Sequence, residues 1–538
     1  MCGILGVFDK SDLDQKAIQS LSQRMRHRGP DMQDFQINES NTGIITHERL
    51  AIIDLKTGKQ PIQGTKNAYV VHNGEIYNHI KLKQTDLKDF KFRTACDSEV
   101  IVKLYEKYGT DFCNKLDGVF GFIIMHEDFF MVARDPIGVK PLYYGQDKSG
   151  AFYFSSEMKV IEDQVEDLKA FPPGHYFTKE TGFVKYFKPV WDDASTCTEE
   201  LDYVKLKTAL IESTSKRLMS DVPVGVLLSG GLDSSLISSI TARLLKEQGK
   251  TLHSFSVGLD ETAPDVIAAK EVAEFIGTEH HTINFTFEEG LSIINQLVWH
   301  LETYDITSIR ASTPMYIMSK YITEMGIKVV LSGEGSDEIF GGYLYFHNAP
   351  SNIEFQKETI RRVKLLSTAD CLRADKSTMA WALEARVPFL DKQFLDVAMK
   401  IDPSHKRPDR TNGKMEKHIL RKAFDDKENP WLPEHILWRQ KEQFSDGVGY
   451  SWIDQLVDYC AAQISDEEML QAETLFPINT PTTKEAMYMR KIFHKHFPSD
   501  AAAETVKKWI PKWQENEDPS GRASTIHDKT TELEKAIF

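Results

Sequence analysis

A strand read at Val224 to Leu228 runs directly into Ser229-Gly230-Gly231-Leu232-Asp233-Ser234-Ser235, and a helix read from Ser234 to Gln248 starts before that string has ended. Few folds accommodate this. Two glycines let the backbone approach an anion, hydroxyls and N–H groups point at it, and the helix N-terminus favours its charge. The string therefore reads as a phosphate cradle, against the blander alternative of a glycine-serine turn. It is not of the Walker kind, because Gly249-Lys250-Thr251 has Leu244 where the first glycine of that loop belongs. Beyond it the pattern repeats: a strand at Leu252 to Val257, a helix at Asp265 to Ile276 closed by Gly277, and a strand at Lys328 to Leu331. Strands separated by helices of that length give a parallel, doubly wound sheet. From Gly342 to about Lys512 the chain reads as mainly helical.

A second glycine-rich string, Ser332-Gly333-Glu334-Gly335-Ser336-Asp337-Glu338, sits at the C-terminal end of the Lys328 strand. Ligands of open parallel sheets bind at that edge. Three carboxylates beside a polyphosphate repel it unless a divalent cation lies between them, so magnesium is the natural inference.

Residues 1–191 read differently, as short apolar runs broken by turns: Ile44-Ile45, Ala51-Ile52-Ile53, Ala68 to Val71, Phe120 to Met125, Phe130 to Ala133 and Pro141 to Tyr144. These are strands, mostly in hairpins. Helical periodicity at Leu13 to Arg26 and Ser98 to Tyr108 adds flanking helices to stacked sheets. The polar stretch Asp192 to Glu200 reads as a linker, and 515–538 as a polar, mobile tail. The chain opens Met1-Cys2-Gly3, so removal of Met1 leaves a cysteine carrying both a thiol and a free α-amine. The amine, with an ordinary pKa of about 7.7–8.0, serves as the base that activates the thiol.

Composition narrows the partners. With 80 acidic against 65 basic residues the net charge is −15, which speaks against nucleic acid or an anionic membrane surface. The six cysteines contain no Cys-x-x-Cys pair, so a disulfide scaffold and a structural zinc site are disfavoured and a reducing, cytosolic compartment is expected. No apolar run reaches the length of a membrane span, and no secretory signal is visible. His280-His281 reads as a polar surface pair, since no third metal ligand is spaced near it. The lysines between Asn412 and Lys422 read as a solvated helix face, and Cys96 as a packing residue with no base.

The seven-residue cradle resembles the signature of the ATP-pyrophosphatases, enzymes that cleave ATP to AMP and pyrophosphate. Together with Cys2-Gly3-Ile4, Arg26 to Asp31, His47 to Ile52, Asn73 to Asn78 and Asp97-Ser98-Glu99, it makes the chain resemble the glutamine-hydrolysing asparagine synthetase family up to about Pro511. That resemblance implies an α/β protein. Residues 1–191 would form a class II glutamine amidotransferase domain with the α/β/β/α N-terminal nucleophile (Ntn) fold. Residues 200–514 would form a Rossmann-like ATP-pyrophosphatase synthetase domain with a helical C-terminal part.

The resemblance also implies roles. Cys2 attacks the glutamine side chain, Asn73 and Gly74 stabilise the oxyanion, and Arg49, Leu50, Ala51, Ile52, Ile53, Glu75 and Asp97 complete the glutamine site. ATP falls to Leu227, Ser229, Gly230, Gly231, Asp233, Ser234, Val257, Ser332, Gly333 and Lys441, with Asp233 and Asp337 on magnesium. Glu334 takes part in forming the adenylate and accepts a proton from ammonia. Thr307, Ser308 and Arg310 are the aspartate candidates. The substrates would be glutamine, aspartate and ATP, the assembly a homodimer, and ammonia would pass between the sites through an intramolecular tunnel. A β-lactam-forming synthetase, a nucleotide sensor and a nucleic-acid-modifying relative are the alternatives, disfavoured by the intact Cys2, Asn73-Gly74, Glu334 and Lys441 and by the acidic charge.

Overall fold

The computed structural model describes residues 1–440 and 450–514. Its first half contains two six-stranded sheets. The Gly3–Phe8 strand lies between Ile44–Arg49 and Phe152–Ser155, antiparallel to both. In the second sheet Ala68–Ile76 pairs along its whole length with Gly118–His126. Alternation along Gly3–Phe8 explains the layering. Ile4 and Phe8 meet Val71, Ile123 and Phe130 of the facing sheet, whereas Leu5 and Val7 pack with Ile18 and Leu21 of the Gln15–Gln23 helix. The Glu99–Tyr108 helix covers the other outer face through Val100, Ile101 and Leu104. The result is the α/β/β/α sandwich the strand and helix patterns anticipate.

The second half is built on a five-stranded parallel sheet in the order Glu279–Asn284, His253–Gly258, Val224–Leu227, Val329–Leu331, Glu384–Arg386. The order reverses between Val224–Leu227 and Val329–Leu331, so both glycine-rich strings emerge side by side at the switch point, where open α/β sheets bind ligands. The last strand lies within the stretch read as helical. It has three residues, two of them charged, so it carries no apolar pattern; buried contacts give it its place.

Two further readings differ from the structure. Ala51-Ile52-Ile53 is irregular rather than a strand, because its polar groups pair outside any ladder. Asp31 accepts from the Ala51 amide at 2.7 Å and the Ile52 carbonyl accepts from the Asp221 amide at 3.0 Å. The Asp192 to Glu200 segment that joins the halves is packed: it follows the Val190–Asp192 3-10 turn and carries another at Ala194–Thr196, Ala194 and Cys197 are buried, and the Glu199 amide donates to the Lys400 carbonyl.

The halves share cores rather than touching at a point. Met1, Leu50 and Ile52 of the first half cluster with Val329 and Met379 of the second. No helix among the described residues is long and apolar enough to cross a membrane.

Candidate active site

Cys2 is buried at the start of its strand. Its backbone N–H donates to Asn73 Oδ1 at 3.0 Å, and its thiol points at the Leu50 carbonyl 3.9 Å away. The Asn73 amide nitrogen reaches Ser156 Oγ at 3.5 Å. Burial pushes the Cys2 thiol above its ordinary pKa, against the pull of the nearby N-terminal ammonium. Gly74 has φ +144°, and a Cβ there would lie 1.9 Å from the Val119 carbonyl oxygen, so only glycine fits beside Asn73.

Several of the remaining glutamine-site candidates are already engaged. The Arg49 guanidinium donates to the carbonyls of Asp54 at 2.7 Å and Leu55 at 3.4 Å. Asp97 accepts from the Ile76 amide at 2.7 Å, and Cys96 is a buried neighbour. Glu75 is ion-paired with Arg386 of the second half at 3.1 Å; burial and the nearby Glu384 push its carboxyl well above the usual range. Met1 is in place in this chain, and its ammonium is buried 2.7 Å from Glu384. One arginine the sequence reading mentioned only within a motif holds the nucleophile's backbone: Arg28 Nε donates to the Cys2 carbonyl at 3.0 Å.

The second site is a cleft at the switch point of the parallel sheet. Leu227, Ser229, Gly231, Asp233 and Ser234 line it from the first loop, Val257 from the next strand, and Ser332, Gly333, Glu334 and Asp337 from the second loop. The Ser229 and Ser234 hydroxyls are 3.0 Å apart, which closes the cradle on itself. A Cβ on Gly333 would sit 2.8 Å from the Ser234 amide nitrogen, so the two loops meet only because that residue is glycine. Ser336 Oγ donates to Asp233 Oδ1 at 2.7 Å across the same junction. Gly230 stands behind the wall, its carbonyl accepting from Arg439 at 3.2 Å.

Lys417 dominates the electrostatics. Its ammonium lies 2.5 Å from Asp233 Oδ2 and 2.7 Å from Asp337 Oδ1, with the side chain 1% exposed. Two carboxylates from separate loops thus converge on one cation position, and all-oxygen donors of this kind suit a hard cation such as magnesium. On the opposite wall Arg373 donates to Glu334 Oε2 and Asp370 Oδ1, each at 2.9 Å.

Comparison with known proteins identifies the family of each half. The glutamine amidotransferase domain model matches residues 1–186, and the asparagine synthase model matches 205–357 and 350–518. The chain belongs to the asparagine synthase family. It is 51% identical to a probable asparagine synthetase [glutamine-hydrolyzing] of Dictyostelium discoideum, over 99% of this chain and 100% of that protein. It is 49% identical to asparagine synthetase [glutamine-hydrolyzing] 2 of Lotus japonicus, over 100% of this chain and 96% of that protein. Asparagine synthetase [glutamine-hydrolyzing] 1 of Arabidopsis thaliana is 50% identical over 97% of this chain and 94% of its own length.

Within this asparagine synthase family member the structure places the aspartate candidates and corrects the reading of Lys417. Thr307 and Ser308 line the cleft together with Ala311, Met315 and Met318, one stripe of the Ile306–Glu324 helix. Arg310, on the same helix, has its guanidinium bonded to Glu485 at 2.8 and 2.5 Å. Lys417 belongs to no solvated face. It precedes the His418–Ala423 helix in the left-handed conformation, φ +57°, which turns its side chain inward. Lys441 lies outside the described residues, as does the tail.

Proposed function

We infer that this chain is a glutamine-hydrolysing asparagine synthetase, a carbon–nitrogen ligase with two catalytic centres. The observation that carries the reading is the presence in one chain of a buried Cys2 against Asn73 and of two glycine-rich loops meeting at the switch point of a parallel sheet.

In the first half, the Cys2 thiol loses its proton and attacks the amide carbon of glutamine. Removal of Met1 turns the Cys2 nitrogen, now an amide donor to Asn73, into the amine that takes that proton. Asn73 and Gly74 border the position where the oxyanion develops. Ammonia leaves, and water hydrolyses the thioester to glutamate. Arg49 supplies planar donors for the substrate carboxylate, and Asp97 a buried acceptor for its ammonium. Glu75, held by Arg386, serves better as a link to the second half than as a free acceptor.

In the second half a β-carboxylate oxygen of aspartate attacks the α-phosphorus of ATP and pyrophosphate departs into the Ser229 to Ser234 cradle. Ammonia then attacks the β-carbonyl carbon, AMP leaves, and Glu334 accepts the surplus proton. Magnesium bound at Asp233 and Asp337 would neutralise charge on the departing pyrophosphate. Lys417 supplies positive charge at the same carboxylates, and Thr307 and Ser308 offer hydroxyls on the wall facing the phosphate loops. Arg373, the guanidinium on the cleft wall that already holds two carboxylates, takes over the role given to Arg310.

The apolar contact of Leu50 and Ile52 with Val329 and Met379, which remains once Met1 is removed, supports transfer of ammonia between the halves, since a dry path keeps it unprotonated and nucleophilic. A reducing, cytosolic location is supported by six free cysteines. The test is formation of AMP and asparagine from ATP, magnesium and aspartate, with glutamine or ammonium chloride as donor, on protein lacking Met1. Asparagine is expected with either donor. AMP without asparagine would move the acceptor elsewhere, and no AMP would overturn the reading.

A further inference from the structure

Outside both sites, the edge of the parallel sheet gathers three metal-ligating side chains that sequence spacing did not connect. The Glu279–Asn284 edge strand runs parallel to His253–Gly258, with Glu279 opposite His253 and His281 opposite Phe255. Because strand side chains alternate, Glu279 and His281 share a face with His253, and His280 points the other way. There its ring nitrogens meet Ser254 Oγ at 2.9 Å and Ser256 Oγ at 3.0 Å, which accounts for its polarity. The third ligand missing from the His280-His281 pair thus comes from the next strand, 28 residues away along the chain.

We propose that His253, Glu279 and His281 form a binding site for a divalent transition metal of the zinc type. The His253 Nδ1 and His281 Nε2 atoms are 3.1 Å apart, and Glu279 oxygens lie 3.8 and 3.9 Å from them. All three ligand atoms fall within 4.8 Å of one another. A tetrahedral ion with bonds of about 2.0–2.1 Å needs ligands about 3.3 Å apart. The imidazole pair already meets that spacing. The two Glu279 distances belong to different oxygens, and the side chain, 59% exposed, is free to rotate so that one oxygen moves from within 4.8 Å to about 3.3 Å of both nitrogens. The rings are held in place, His281 stacking on Phe255 with centroids 5.1 Å apart and on His253 at 5.4 Å. Burial and the neighbouring imidazole keep His281 below its ordinary pKa, in the neutral form that ligates metal. Two imidazoles and one carboxylate select zinc, nickel or cobalt over magnesium, and they leave a coordination position open to solvent.

The test is zinc chloride titrated into the chelator-stripped full-length enzyme, with bound zinc counted after desalting and cobalt chloride used to read tetrahedral absorption bands. Wild type is expected to retain one zinc ion per chain more than His253→Gln/His281→Gln. Every cysteine, Cys2 included, is present in both proteins, so thiol binding cancels in the comparison. Glu279→Gln is expected to weaken that ion by at least about tenfold. Equal zinc content in wild type and the double variant would overturn the proposal. Should the double variant not fold, Glu279→Gln decides alone, because the exposed side chain carries no packing: unchanged zinc affinity there would overturn the site.

Discussion

Arg28 and Asp375 form a buried ion pair at 2.8 Å that joins the two halves of the molecule. The same guanidinium holds the Cys2 carbonyl through Nε and Glu157 through a terminal nitrogen at 2.9 Å. Asp375 lies on the Asp370–Met379 helix, which also carries Arg373, bonded to Glu334 in the synthetase cleft. One helix therefore touches the backbone of the nucleophile at one end of a chain of contacts and the acid of the second site at the other. Arg28→Met takes one buried cation from each carboxylate, leaving Asp375 with Lys140 at 3.5 Å and Glu157 with Lys159 at 2.7 Å, so the loss should lie near the lower end of about 3–5 kcal/mol. Denaturation midpoints should fall accordingly. Glutamine-dependent synthesis should drop more than ammonia-dependent synthesis, since Cys2 alone loses an anchor. Equal losses with both donors would reduce Arg28 to a purely structural role.

Cys2→Ala should abolish glutamine hydrolysis and glutamine-dependent asparagine formation while ammonium chloride still supports synthesis, because the second site receives the same nucleophile from solution. Blocking removal of Met1 should copy that variant. With Met1 present the Cys2 nitrogen is an amide and the Met1 amine is tied to Glu384. Glutaminase activity in a protein shown by mass spectrometry to retain Met1 would dismiss the amine as base.

Lys417→Met removes the cation between Asp233 and Asp337. Pyrophosphate release should fall by about 100-fold or more, the usual cost of deleting a preorganised charge at a reacting group. Glutaminase activity, in the other half, should persist. If added magnesium fully restored the rate, the lysine would be a mere stand-in for the metal.

How much of this was legible in the chain follows from the range over which each feature is determined. The Ser229 to Ser235 cradle is local: a strand, two glycines and a helix in one continuous string. The switch-point geometry follows once the strands are parallel. Lys417 was not legible, because its partners are 184 and 80 residues distant and a lysine beside other lysines looks solvated until its φ of +57° is known. Arg310 sits one residue from the stripe that lines the cleft, and its buried pairing with Glu485, 175 residues away, was not legible either. Ala51 to Ile53 has the composition of a strand and lost that structure to Asp31 and Asp221, partners no periodicity reveals.

Acid should weaken the protein before its carboxylates titrate. Burial lowers His47 from 6.5 to about 3, His72 from 6.5 to about 4 and His300 from 6.5 to about 2. Each is neutral in the folded state and takes up a proton on unfolding below pH 6.5, so the unfolded chain binds more protons and stability falls as pH falls. The loss continues until the folded-state values are reached. At pH 5.5 it amounts to about 1.4 kcal/mol for each histidine, about 4 kcal/mol together. Glu384 acts in a different window. Burial opposes its charge, but the N-terminal ammonium and Arg386 prevail and hold it down to about 2 from 4.5, so its contribution is intact above pH 4.5. Urea midpoints measured at pH 7.5, 6.5 and 5.5 should fall modestly over the first step, by about 1 kcal/mol in stability, and about three times as far over the second. The drop should shrink in His72→Gln, which carries no titrating ring, whereas a level profile down to pH 5.5 would mean that these imidazoles are hydrated in solution.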